Sequence, residues 1–191
     1  PFKVFTPFWR ACNRLHEPSQ PATTPELLPI QRPLQSEDLD HWQLVPKSPN
    51  WAFGWNDLWQ PGEVGGQAAL AQFLSNHVQN YSLGRDMPAE PNTSRLSPYL
   101  RFGNISPRQV WHAAQATKID RHNEADAIDK FLSELGWRVF CYHLLFHFPT
   151  MPDEAFNPKF SFFPWEDDGA RLKAWQSGLT GYPIVDAGMR E

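Results

Sequence analysis

The segment from residue 129 to residue 148 constrains the fold of this chain most strongly. This segment, which ends at Phe148, has apolar residues on nearly every side of a helical wheel and contains no proline. A helix with this pattern is typical of one enclosed by neighbouring elements. The period-2 alternation that marks half-buried strands is almost absent from the chain. We therefore predict an all-α fold in which 129–148 is a buried helix.

Shorter helices are predicted on both sides of this segment. Ser106 followed by Pro107 has the composition of an N-cap and a first helical position. The other helices are predicted from the spacing of their apolar residues and from the glycine or proline at their ends. They cover 9–15, the run opened by Pro61-Gly62-Glu63 up to Val78, 96–100, 109–117, 171–176 and a last helix that begins at Tyr182-Pro183.

The first 50 residues, called the arm below, differ from the rest. Between residues 18 and 50 there are seven prolines and little periodicity, which is typical of an extended linker. The helical body is predicted to cover 51–191. The arm also contains apolar residues, so we expect it to pack against something rather than to be free in solution. These residues are Leu27, Leu28, Ile30, Leu34, Trp42 and Leu44.

The net charge and the cysteine content argue against two classes of protein, those with a generally basic surface and those held together by disulfides. The formal net charge of −4 over 191 residues provides no global basic field, so an anionic partner such as DNA must be met by a local cluster. Cys12 and Cys141 are far apart, which favours a reduced cytoplasmic or nuclear setting over a disulfide framework. No uncharged apolar stretch reaches the ~20 residues of a membrane span.

One face of the 129–148 helix carries chemically active side chains. Glu134, Trp137, Arg138 and Cys141 stand at i, i+3, i+4 and i+7 and so share that face. A buried carboxylate and guanidinium need partners. In one interpretation, Glu134 and Arg138 form an ion pair with each other and Trp137 packs in the core. In the other, this face binds a ligand: Glu134 accepts hydrogen bonds, Trp137 stacks on a flat ring and Arg138 supplies a positive charge.

Two further features are open to two interpretations each. The turn 92–97, called the hydroxyl turn below, precedes a predicted helix and contains Thr93, Ser94 and Ser97. It could hold a phosphate, or it could be a plain N-cap with an exposed arginine. His143 and His147 stand at i, i+4, but no third metal ligand is apparent, so ordinary helix positions are favoured.

These features, taken in order along the chain, resemble the DNA photolyase/cryptochrome family, and most of all the class I cyclobutane pyrimidine dimer photolyases. One motif would be weak evidence, whereas the ordered set is specific. It consists of FKVFTPF (2–8), WQPGE (59–63), Arg85-Asp86 with Pro88, TSRLSPYL (93–100), FG (102–103), ISPR (105–108), ELGWR (134–138) and GYPIVDAGMR (181–190).

The resemblance implies a role for each candidate residue. FAD would be contacted by Tyr81, Thr93, Ser94, Arg95, Leu96, Ser97, Phe131 and Arg138. DNA would be met by Arg85 at a phosphate, by Glu134 and Trp137 at a flipped-out pyrimidine dimer, and by Arg138 and Cys141 on the same face. Trp165, which otherwise reads as packing, would be the outermost member of the tryptophan electron-transfer chain of this family.

The resemblance also implies a function and a context. The activity would be light-driven repair of pyrimidine dimers by electron transfer from reduced FAD, in a monomeric full-length protein. The alternatives are a cryptochrome-type photoreceptor without repair activity and a non-catalytic helical scaffold. The arm would be an interdomain linker that leaves an α/β domain with a folate or deazaflavin antenna, and 51–191 would be the N-terminal half of the FAD domain. We therefore expect this piece alone to bind FAD weakly or not at all.

Overall fold

The computed structural model describes residues 1–15, 17–29 and 35–190. The chain divides into two compact units, 1–144 and 145–191. No strand occurs among the described residues, so the all-α prediction is confirmed. The first unit contains α1 (Phe5–Cys12), α2 (Trp55–Leu58), α3 (Gly62–Asn76), α4 (Tyr81–Gly84), α5 (Ser97–Arg101), α6 (Pro107–Asp120) and most of α7 (Ala125–His147). The second contains α8 (Gly169–Gln176) and α9 (Pro183–Arg190).

Short 3₁₀ turns connect these helices at Leu39–Trp42, Val78–Asn80, His122–Glu124 and Pro158–Phe162. None of the described helices combines the length and the apolar content that crossing a membrane requires.

The core of the first unit forms where α3, α6 and α7 meet. Phe73 of α3, Val110 of α6 and Ile128 of α7 are each at most 2% exposed, and they belong to one cluster of buried side chains. Burying a side chain of this size contributes about 1.5–3 kcal/mol. This core fixes the positions from which α4, α5 and α7 present the candidate site residues.

Helix starts follow local chemistry. The Ser106 hydroxyl accepts a hydrogen bond from the Gln109 amide at 3.2 Å, and the Ser106 amide donates to the Gln109 side chain at 2.8 Å. With Pro107 at the first helical position, this capping box confirms the predicted start of α6. The predicted start of α1 at residue 9 is wrong, because the helix already begins at Phe5 and Pro7 is tolerated within a first turn.

The prediction of a fully buried helix at 129–148 is correct for one face of α7 and wrong for the other. Phe131, Leu132 and Leu135 are buried, whereas Val139 is 46% and Tyr142 is 52% exposed. Apolar composition shows that a face avoids water, but it does not show which residues cover it.

The arm is fastened at its start and exposed beyond it. The His112 ring contacts the Pro18 carbonyl at 2.9 Å, and Trp111 Nε1 donates to Glu17 at 3.4 Å. Leu27 and Leu28 are more than 80% exposed, so neither packs against the described part of this chain, and the expectation that they pack stays a prediction. Trp42 and Leu44 are exposed as well, and Ile30 and Leu34 lie outside the described residues.

Candidate functional site

Glu134 is the centre of an ion-pair cluster between α4 and α7. Its carboxylate accepts a hydrogen bond from Arg85 Nη1 and lies 3.9 Å from Lys130 Nζ. Arg85 Nε is also 3.5 Å from Asp86. The hydrogen bond to Glu134 raises the pKa of Arg85 above its ordinary value. The internal Glu134–Arg138 pair considered from the sequence is therefore not formed, because Glu134 is bonded to Arg85, the residue that follows α4.

Arg138 and Cys141 lie further along the same helix. The Arg138 guanidinium is 4.9 Å from the centroid of the Tyr142 ring and donates to the Leu100 carbonyl at 3.4 Å. Cys141 is exposed. This face of α7 thus presents a carboxylate held by a cation, a second cation and an exposed thiol.

Trp137 occupies the middle of that face and remains 43% exposed. One side of its indole ring is stacked on Phe5 of α1, with ring centroids 3.8 Å apart and planes at 11°. Phe140 contacts its edge at 5.8 Å. The exposed area is compatible with a further flat ring. Sequence reasoning did not identify Phe5 as a partner, although the residue lies in the FKVFTPF motif.

Tyr81 and Phe131 are packed in the core beneath the Glu134 cluster. They are 7% and 4% exposed, and their rings meet edge to face at 5.5 Å. Burial raises the pKa of the Tyr81 phenol. The Arg85 guanidinium lies 5.6 Å from the Tyr81 ring, so the core and the ion-pair cluster are continuous.

The hydroxyl turn is anchored by Leu96, which is 2% exposed. Asn92 packs so closely on Gly84 that any side chain at position 84 would collide with it. Leu96 is the N-cap residue of α5 and no side chain caps this helix, so a side-chain N-cap is not formed, whereas the exposed arginine of that interpretation is found at Arg95. Among the described residues, the hydroxyls of Thr93, Ser94 and Ser97 make no hydrogen bond.

Arg95 is the strained member of the turn. Its φ of 51° lies in the left-handed region, which costs about 1–2 kcal/mol for a residue other than glycine. Its guanidinium lies 4.7 Å from the centroid of the Trp59 ring. Thr93, Ser94, Arg95 and Trp59 line a cavity of about 320 Å³ beside α3.

Trp165 belongs to the second unit, and its indole is 75% exposed. Its Nε1 donates to the Phe160 carbonyl at 3.3 Å, and its ring lies 4.6 Å from that of Phe163. The electron-transfer role assigned to it stays a prediction.

His143 of α7 is bonded to the start of the arm. His143 Nε2 accepts a hydrogen bond from the Phe2 amide at 3.1 Å. Within 1–15, 17–29 and 35–190, no group of three potential metal ligands gathers.

Comparison with known proteins shows which family this chain resembles. Residues 131–191 match the model for the FAD binding domain of DNA photolyase. Deoxyribodipyrimidine photo-lyase of Agrobacterium fabrum is 47% identical over 192 residues, which cover 100% of this chain and 40% of that protein. Cryptochrome-1 of Arabidopsis thaliana is 32% identical and is covered over 29% of its length.

A solved structure agrees with these sequence matches. The crystal structure of a bacterial class III photolyase from Agrobacterium tumefaciens superposes with a TM-score of 0.91 at 47% identity, covering all of this chain and 39% of that one. The chain thus spans about 40% of the length of the photo-lyases it matches.

Proposed function

Because this chain belongs to the DNA photolyase/cryptochrome family, we propose that the full-length protein repairs cyclobutane pyrimidine dimers in DNA with light. Full-length here means this chain with any sequence encoded on either side of it. The observation that carries the proposal is the shared face of α7, where Glu134, held by Arg85, lies beside the partly exposed ring of Trp137.

The hydroxyl turn fits the diphosphate of FAD. Thr93 and Ser97 are exposed, and their hydroxyls are uncommitted among the described residues, so they can donate to phosphate oxygens without breaking an existing bond. Arg95 adds a positive charge at the same turn. Arg138 is a further proposed FAD contact, and Tyr81, Leu96 and Phe131, which are buried, would support the FAD pocket from behind. When bound, reduced FAD supplies on illumination the electron that splits the dimer.

The residues of α7 would hold the damaged bases. Trp137 stacks on the flipped-out dimer, and Glu134 accepts hydrogen bonds from the N–H groups of the base edges. Arg85 fixes the Glu134 carboxylate in advance and, on its exposed side, meets a DNA phosphate. Arg138 and Cys141 extend this face along the strand. Such preorganisation lowers the cost of ordering the site when the dimer enters.

Further parts of the proposal come from the family alone. They are an electron path that leaves through Trp165, a folate or deazaflavin antenna in an α/β domain preceding the arm, a monomeric protein, and a location with DNA in the bacterial cytoplasm or a nucleus.

The first experiment measures flavin absorbance of the full-length protein and its light-dependent repair of an oligonucleotide containing one dimer. We expect flavin absorbance and repair. Flavin without repair would identify the cryptochrome alternative, and the absence of both would favour a helical scaffold.

The second experiment replaces Glu134 with Gln. Because a hydrogen bond to a charged group contributes about 1.5–3 kcal/mol, we expect Glu134→Gln to reduce dimer affinity at least about tenfold and to lower the repair quantum yield. Glu63→Gln, which alters an exposed carboxylate on α3, is the matched control and should change neither value. Unchanged affinity and repair in Glu134→Gln would refute the assigned role.

A further inference from the structure

The ring of Phe5 bears directly on the proposed substrate contact. Phe5 and Trp137 are 132 positions apart in sequence, yet their ring planes are nearly parallel at 11° and their centroids are 3.8 Å apart. Trp9 lies on Phe5 with its plane at 13° and a centroid distance of 6.0 Å. Phe5 of α1 is thus nearly parallel to two tryptophan rings, in close stacking with Trp137 and at a larger distance from Trp9.

The position of α1 on α7 is fixed by close packing. A Cβ atom at Gly136 would lie 2.6 Å from two atoms of the Trp9 ring, so only glycine admits this approach. Phe8 is buried on the same side, with its ring 5.2 Å from that of Phe140. Because α1 is held at these two points, Phe5 has a defined place beside Trp137.

This arrangement has a consequence for binding a flat base. A partly exposed tryptophan on a helix can change its rotamer, and ordering such a side chain on binding costs free energy. Phe5 occupies one side of the indole, while 43% of Trp137 stays exposed. The ring is thus held in one orientation before a base stacks on it.

We propose that Phe5 is a positioning residue for Trp137, so that the arm sets the orientation of the stacking surface that selects the pyrimidine dimer. This inference rests on the proposed function, because it assigns Phe5 a part in the same site. It predicts that removing the Phe5 ring weakens binding of damaged DNA more than binding of undamaged DNA.

The test compares Phe5→Leu, Phe5→Tyr and Phe8→Leu in the full-length protein with its flavin. The probes are a single-stranded oligonucleotide with one thymine dimer and the same oligonucleotide without it. Aromatic pairs contribute about 0.5–1.5 kcal/mol beyond their buried area. We therefore expect Phe5→Leu to lower the affinity ratio of damaged to undamaged DNA about 3-fold to 10-fold. Phe5→Tyr should keep the ratio within about 2-fold.

Phe8→Leu is the matched control because it removes a ring from the same helix without touching Trp137. It should lower the thermal stability and, because the close approach of Trp9 to Gly136 still holds α1 on α7, leave the affinity ratio unchanged. Equal loss of the ratio in Phe5→Leu and Phe8→Leu would show that α1 acts only as a structural support, and this result would overturn the inference.

A second measurement separates this inference from the proposed function. In protein labelled with 5-fluorotryptophan, the resonance of Trp137 is assigned by its loss in Trp137→Phe. We expect it to shift and broaden in Phe5→Leu because the ring above it is gone. An unchanged resonance would overturn the positioning role whatever the DNA result. A wild-type protein that does not distinguish the dimer would instead refute the proposed function, while the resonance would still report whether Phe5 holds Trp137.

Discussion

Two turns that each precede a short helix use their polar groups in opposite ways. In the turn 178–182, called the Asp186 turn below, Asp186 accepts hydrogen bonds from the Thr180 amide at 2.7 Å, the Thr180 hydroxyl at 2.6 Å and the Gly181 amide at 3.0 Å. In the hydroxyl turn, Thr93, Ser94 and Ser97 have no such partner among the described residues. Their donors thus remain available to a ligand.

The two turns also differ in which residues adopt a positive φ. The Asp186 turn takes positive φ values at Gly178 and Gly181, where glycine adopts them at little steric cost. The hydroxyl turn takes its positive φ at Arg95, where it is strained. The Asp186 turn therefore satisfies its polar groups internally, whereas the hydroxyl turn keeps free donors and a strained residue, as the proposed FAD contact requires.

The largest effect is expected from Asp186→Ala. Asp186 is 6% exposed, and its removal leaves the Thr180 and Gly181 amides without their acceptor. We expect the melting temperature of the full-length protein to fall by several degrees and amide hydrogen exchange at residues 180 and 181 to accelerate. The exposed Asp167→Ala should change neither. A wild-type melting temperature in Asp186→Ala would remove the contrast between the turns.

A smaller and different effect is expected from the double variant Thr93→Val with Ser94→Ala. Because the two hydroxyls support no internal hydrogen bond, we expect the melting temperature of the flavin-free protein to stay within about 1 °C. The dissociation constant for FAD should rise at least about tenfold, since each lost bond to a phosphate contributes about 1.5–3 kcal/mol.

The control for this double variant is Thr117→Val. The Thr117 hydroxyl donates to the Ala113 carbonyl within α6 at 3.0 Å, so the same substitution is made at a hydroxyl that is already satisfied. FAD affinity should be unchanged in this variant. A large loss of stability in the Thr93 and Ser94 double variant, with FAD affinity retained, would show that the hydroxyl turn is structural.

The sequence predicted local features better than partnerships between helices. The start of α6 could be predicted because Ser106, Pro107 and Gln109 interact within one turn. The hydrogen bond of Arg85 to Glu134 could not, since the two residues are 49 positions apart and the spacing equally allowed an internal pair with Arg138. The stack of Phe5 on Trp137 was missed for the same reason. Periodicity reports which face of a helix is apolar, while the packing of helices decides which residue covers it.

The smallest effect is expected from pH, because protonating Asp186 removes its charge but keeps its volume. The hydrogen bonds from Thr180, followed by those from the backbone amides, hold the pKa of Asp186 below its ordinary value of 3.8. A carboxyl whose pKa is lowered in the folded state contributes its full stabilisation above the ordinary value and loses it as the pH falls through the folded value.

We therefore expect exchange protection at Thr180 and Gly181, corrected for intrinsic rates, to be constant between about pH 5 and 8 and to be lost only below the ordinary value of 3.8. The Asp186→Asn variant cannot titrate at this position, so its protection should show no such step. If the variant lost protection over the same pH range as the wild type, another carboxyl group would control the turn. The hydroxyl turn contains no group that titrates in this range, so its exchange, corrected in the same way, should change only if the whole unit opens in acid.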